Sequence, residues 1–270
     1  MRAFELVREW PVSTVAVMVI DQHENFHLYG DTDADFNLAS VSKLMTAWAT
    51  LVAVEDGSVS LTDEIGQPDC TLRHLLAHAG GYGFDSTEAI IRPARKRVYS
   101  NTGYEMVAEH IAAATEIGFA DYLHESVFQP LDMNSSQLSG SAAKDVHSTL
   151  DNVGKFMLEL RTPRLITSPT FIEATSSQYP DLDGVVPGYG RFNPCPWGLG
   201  PELCGHKQPH WTATRNSSST YGHFGGSGTF IWIDPVANVA CCALADREFG
   251  DWARTHWPIF GDAVLAELGR

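Results

Sequence analysis

The chain has 270 residues, 44% of them hydrophobic, enough to bury a large core in one domain or two intimate ones. A formal net charge of −15 argues against nucleic acid or an anionic membrane surface as a partner, since both carry the same sign. No run reaches the roughly 18 apolar residues of a membrane span, and five cysteines are too few and too odd in number for a disulfide scaffold.

In chain order, "RAFELVREW" predicts a short helix with Phe4, Leu6, Val7 and Trp10 available to one face. "VSTVAVMVI", residues 12–20, is too short to span a bilayer, follows charges of both signs and lacks a small-x-small cleavage site. It reads as a strand rather than a signal peptide, which makes a cytoplasmic location the expectation. A second strand at about 26–30 follows the turn "DQHEN". Next comes "FNLASVSKLMTAWATLVAVEDG", where only Thr46 and Thr50 are polar between Leu44 and Val54. That pattern predicts a helix buried on nearly every face, with Gly57 as its C-cap. Lys43 stands at its mouth, one turn after Ser40. Burying an ammonium is costly without a partner or a lowered pKa. A function that needs an amine beside a hydroxyl would account for the pair; the plainer reading of Ser40 is an N-cap.

The middle, about 61–189, is mostly helix and loop. "TLRHLLAHAGG" is a short helix stopped by glycines, and the cluster Arg92, Arg95, Lys96 and Arg97 follows. The cluster reads as a solvated loop or, with Tyr99 just beyond it, as a local attraction for anionic substrates. "NTGYEMVAEHIAAATEIG" is a helix with Asn101 as candidate N-cap, and "FADYLHESVFQPLDM" is another, broken by Pro130. "TLDNVGKFMLELR" is a fourth, with Val153, Phe156, Met157 and Leu160 at helical spacing. From about 197 the period becomes two: "WGLGPEL", "YGHFGG", "GTFIWIDP" and "NVACCALAD" read as strands, with Cys241 and Cys242 on opposite faces of the last. "DWARTHWPIFGDAVLAEL" closes the chain as a helix interrupted near Pro258. The expected fold is α/β of the α+β kind. One antiparallel sheet is built from both chain ends and flanked by helices, from about 1–60 plus 190–270. A mostly helical subdomain, about 61–189, lies beside it in a single unit.

Ser-x-x-Lys occurs twice, at Ser40–Lys43 and at Ser141–Lys144 in the polar "SGSAAKDVHS". Nothing forces the second lysine against its serine, so it reads as an exposed loop; the first sits where a strand passes into an apolar helix, with free backbone N–H groups nearby. Cys195, Cys204, His206 and His210, spaced C-x8-C-x-H-x3-H, offer four zinc-type ligands. The spacing fits no tight knuckle and prolines and glycines fill the interval, so ordinary loop and strand residues are the simpler reading and no cofactor is expected.

"SVSK" resembles the first motif of the serine β-lactamases and penicillin-binding proteins, and the whole chain is especially similar to the class C β-lactamase-like group, which also holds DD-peptidases, esterases and D-amino-acid peptidases. "YSNTGYEMVAEHI" supplies that group's Tyr-x-Asn as Tyr99 and Asn101, and "YGHFGGSGTF" its late-strand motif as His223, Phe224 and Gly225. "LRHLLAHAGG", the Pro-Leu-x-Met end of "FADYLHESVFQPLDM" and "WGLG" extend the similarity over about 12–245. The resemblance implies that Ser40 attacks a carbonyl, that Lys43 or Tyr99 is the base, and that Asn101 positions Lys43 and a substrate amide or carbonyl. It implies that backbone N–H groups of Ser40 and Gly226 hold the oxyanion, with Gly225 and Gly226 letting substrate approach, and that Tyr99 activates the deacylating water. His223 stands where class C lactamases have lysine, and Phe224 removes a hydroxyl that helps to bind a substrate carboxylate. These departures point to a small ester or amide, with weak β-lactam turnover at most. The competing readings are a non-catalytic penicillin-binding-like sensor or binding module and a metalloprotein.

Overall fold

A computed structural model describes all 270 residues. A 3-10 helix, Arg2–Glu9, precedes β1 (Val15–Ile20) and β2 (Phe26–Gly30). β3 (Phe36–Asn37) leads through a 3-10 turn, Ala39–Val41, into α1 (Ser42–Glu55). The middle holds α2 (Leu72–Leu76), α3 (Asn101–Thr115), α4 (Phe119–Leu123), β4 (Gln137–Leu138) and β5 (Val146–Ser148), then α5 (Leu150–Arg161) and α6 (Ser168–Ala174). A hairpin of β6 (Gly184–Val186) and β7 (Gly190–Phe192) precedes β8 (Glu202–Leu203), β9 (Tyr221–Gly225), β10 (Thr229–Asp234) and β11 (Val239–Ala245); α7 (Asp251–Glu267) ends the chain.

The main sheet has the order β2-β1-β11-β10-β9-β8, every pair antiparallel. β1 lies against β11 from Val15↔Ala245 to Ile20↔Ala240, so the two ends of the chain form one sheet, as the strand pattern predicts. β10 and β11 are buried along their whole length, so their period of two appears not as polar against apolar but as which core each side chain enters. Side chains still alternate. Met18, Ile231 and Cys242 enter the core shared with α1 and α5, while Val17, Phe230 and Cys241 enter a second core with Trp257 and Phe260 of α7 and Phe4 of the first helix. The adjacent cysteines do occupy opposite faces.

Three local readings change. The N-cap of α3 is Ser100, whose Oγ accepts the Gly103 N–H at 3.0 Å, so Asn101 is the first helical residue and its side chain is free for other work. α7 runs unbroken through Pro258; buried Trp257, Phe260 and Val264 hold it despite the roughly 3 kcal/mol that an internal proline costs. In "WGLGPEL" only Glu202 and Leu203 form a strand, with Trp197 bridged to Glu202. The small sheets β3-β5-β4 and β6-β7 consist of strands of two or three residues, too short to show a period. Gly57, at φ +83°, does turn the chain out of α1 after Asp56.

Candidate active site

Three segments meet at one cleft: the turn before α1, the approach to α3, and the end of β9. The turn is strained. Ala39 has φ +45°, a conformation that costs a residue with a Cβ of order 1–3 kcal/mol and persists only under constraint. The constraint is visible: Asn37 Oδ1 accepts the Ala39 N–H at 2.7 Å, Ser227 Oγ donates to the Asn37 carbonyl at 2.7 Å, and Thr229 Oγ1 donates to the Leu38 carbonyl at 2.8 Å. Gly225 completes the clamp. A Cβ there would lie 2.4 Å from the Leu38 carbonyl oxygen and 3.1 Å from the Ala39 Cβ, so only glycine lets β9 press against the residues that carry Ser40. Gly225→Ala is expected to cost about 1–3 kcal/mol by overpacking and to lower activity with it, both read by urea denaturation and ester turnover.

Lys43 is completely buried, on the second residue of α1. Its Nζ donates to Asn101 Oδ1 at 2.6 Å and to the Ala143 carbonyl at 2.9 Å, and lies 3.3 Å from Ser40 Oγ. Burial lowers its pKa to about 7; the carboxylates of Glu105 and Asp85 act against that and Lys144 with it. Two N–H groups are therefore taken by carbonyl oxygens that can only accept, and the third direction of the nitrogen faces the serine. In the neutral amine that direction is a lone pair aimed at the Ser40 hydroxyl.

Tyr99 lies with its ring centroid 4.8 Å from Lys43 Nζ, and burial pushes its phenol well above the ordinary range. His223 donates from Nδ1 to the Phe224 carbonyl at 2.7 Å, since that oxygen can only accept. Its Nε2 is thereby left as an acceptor, 3.5 Å from the Tyr99 hydroxyl. Burial, with Lys43 nearby, lowers the His223 pKa to about 3, so it is a neutral imidazole. His78, in the "LLAH" segment, packs its ring 4.4 Å from that of Tyr99 and accepts the Ser100 N–H at Nδ1.

Ser40, Tyr99, His223 and Gly226 line a cleft of about 320 Å³ walled by Phe84, Trp197, Phe224 and Phe249, with Arg254 as its single charged residue. Nothing lies within 4 Å of where a Gly226 Cβ would be, and the N–H groups of Ser40 and Gly226 are not consumed by the hydrogen bonds of turns and loops. Gly225 does not line the cleft; its place is behind the turn that carries Ser40.

The second Ser-x-x-Lys also acquires a place. Ser141 Oγ donates to Glu105, the Ala142 carbonyl accepts from Thr46 Oγ1 at 2.7 Å, and the next carbonyl is the Ala143 oxygen on Lys43. Ser141 is thus part of the back wall of the Lys43 pocket. No sequence signal marks Ala143, because any residue supplies a carbonyl.

The basic cluster divides. Arg92 and Arg95 are exposed, but Arg97 is buried, donating to the carbonyls of Ala77, Gln178, Tyr179 and Cys195. It is neither a solvated loop residue nor a ligand for substrate, but a clamp on four loop carbonyls. Cys204 lies beside His210, but Cys195, Cys204, His206 and His210 do not form a set, and no three His, Cys, Asp or Glu side chains come together as metal ligands. His206 is exposed, while His210 pairs with buried Glu202 at 3.1 Å, which also holds Lys207 and Trp211. Burial pushes the Glu202 carboxyl up, but Lys207 and His210 outweigh it and hold it below the usual range. Lys207→Ala, leaving a buried carboxylate short of its cation, is expected to cost about 3–5 kcal/mol in a urea titration.

A family model described as Beta-lactamase matches residues 9–265. The chain belongs to the beta-lactamase family. A beta-lactamase from Mycobacterium bovis is 44% identical, with a TM-score of 0.96 covering 98% of this chain and 99% of that one. Simvastatin synthase from Aspergillus terreus (18% identity, TM-score 0.79, 98% of this chain and 97% of that one) shares the fold of this family member. So does an octameric penicillin-binding protein homologue from Pyrococcus abyssi (17%, TM-score 0.77, 98% and 76%). A penicillin-binding protein of Bacillus subtilis strain 168 is 29% identical over 140 residues, 40% of this chain but only 31% of that relative's length. No helix is long and apolar enough to cross a membrane.

Proposed function

We propose that the chain is a serine hydrolase that forms an acyl-enzyme at Ser40 and acts on a small ester or amide. The observation that carries the reading is the coordination of Lys43: two carbonyl acceptors fix the amine so that its third direction meets the Ser40 hydroxyl at 3.3 Å.

In this mechanism Lys43 is the base. Its pKa of about 7 leaves a large neutral fraction at working pH, whereas the Tyr99 phenol is held protonated by burial. As Ser40 Oγ bonds to the carbonyl carbon its proton passes to Lys43 Nζ, and the N–H groups of Ser40 and Gly226 receive the oxyanion. Collapse breaks the bond to the leaving group, which takes up the proton from Lys43. The amine, neutral again, then serves the incoming water. Tyr99, donating toward His223 Nε2, orients the edge of the site.

The aromatic walls of the cleft suit an apolar acyl or alkoxy group better than a polar peptide. Phe224, buried among Phe249 and Trp257, offers no hydroxyl to a substrate carboxylate, which supports esters over β-lactams. A non-catalytic binding module has no use for a buried amine poised on a hydroxyl.

The test is a fluorophosphonate probe followed by a panel of esters, β-lactams and D-amino-acid peptides, with adducts located by mass spectrometry. The added mass belongs on the peptide containing Ser40. Labelling of Ser141 instead, or of no serine, overturns the reading.

A further inference from the structure

We propose that Asp85, on the loop between α2 and α3, is a positioning residue that acts through Asn101 to orient and charge-balance the amine of Lys43. The inference rests on the proposed hydrolase reading, in which Lys43 is the base.

Asn101 links the two residues. Its amide oxygen and nitrogen are nearly equal in size, so packing alone does not decide which end faces Lys43. The site needs the oxygen inward, because Oδ1 accepts from Nζ at 2.6 Å. The outward end settles the matter: Nδ2 donates to Asp85 Oδ1 at 2.9 Å, and an ionised carboxylate can only accept. Asp85 thus forbids the flipped amide, which would turn N–H groups toward the amine. The loop is tied to the same residue by its backbone, since the Asn101 N–H donates to the Phe84 carbonyl at 2.7 Å. Asp85 is exposed and forms no ion pair, so neither core packing nor a salt bridge accounts for it.

Its charge has a second effect. The titratable groups around Lys43 are Tyr99, Tyr104 and Glu105 from α3 and its approach, Lys144 from the loop beyond, His223 from β9 and His78 after α2. Both histidines are neutral through burial and both phenols stay protonated. Glu105 and Asp85 are therefore the two negative charges that favour the ammonium, against burial and Lys144.

Two variants separate orientation from charge. Asp85→Asn keeps an acceptor for Asn101 Nδ2 and loses the charge, so the acidic limb of kcat/KM moves to lower pH while the plateau falls only a few-fold. Asp85→Ala loses both, and plateau kcat falls about tenfold or more with KM little changed, because Asp85 does not line the cleft. The titration of the Lys43 13Cε resonance, one of five lysines, provides a readout without turnover, and its midpoint falls in Asp85→Asn. A merely structural role would lower kcat and the urea midpoint together with limb and resonance in place, and that result overturns the proposal. So does a wild-type midpoint in Asp85→Asn. Failure of wild-type Ser40 to take up the probe would instead sink the hydrolase reading, whatever the Lys43 titration shows.

Discussion

Ser40→Ala is expected to abolish ester hydrolysis and probe labelling while leaving the urea transition nearly unchanged. The loss should be on the order of 10⁴-fold or more, the scale on which removal of a nucleophile leaves only binding and oxyanion contacts. The fold should tolerate it because the turn that carries Ser40 is held by its backbone, through Asn37, Ser227 and Thr229, and not by the serine side chain. Lys43 keeps both carbonyl acceptors when the hydroxyl is gone. If turnover survives with unchanged kcat/KM, the nucleophile lies elsewhere.

The second large effect concerns the base. Lys43→Ala should lower acylation by about 10²–10⁴-fold, the usual contribution of a positioned base. The pH profile carries the more specific signature. In the proposed mechanism Lys43 acts as the neutral amine, so with a pKa of about 7 the acylation rate should rise about tenfold per pH unit below neutrality and level off above it. The sign follows from burial, which disfavours the ammonium and so moves the limb down from the ordinary lysine range. Tyr99→Phe should leave that limb where it is, because the phenol is not the group that titrates. A profile that rises only above pH 9, or a limb that disappears in Tyr99→Phe, would exchange the roles of the two residues.

Much of this was legible in the chain because it is local. The Ser40–Lys43 spacing places both side chains on one face of a helix, and the apolar run after them predicts that the amine is buried. The period-two strands at both ends predict the sheet, and Cys241 and Cys242 show the alternation working at single-residue resolution. Some local signals competed and misled. Asn101 and Ser100 are both good N-cap types, and the choice fell to Ser100 once the amide of Asn101 was drawn to Lys43 and Asp85. Arg97 looked like one more surface charge, yet four loop carbonyls left without strand partners needed a buried donor.

By itself the sequence determined which elements form and which polar side chains they bear at Ser40, Lys43, Tyr99 and His223, since helix and strand periods and the reach between neighbours are properties of a few consecutive positions. Only the tertiary structure decided how tightly the amine of Lys43 and the phenol of Tyr99 hold their protons, the first loosened and the second tightened by burial. The proton affinity of Lys43 reflects burial together with charges from separate segments, and its orientation is fixed by an acceptor 58 positions away on Asn101 and another 100 positions away at Ala143. Electrostatic energy depends on distance in space and on exclusion of water, and no spacing along a chain encodes either.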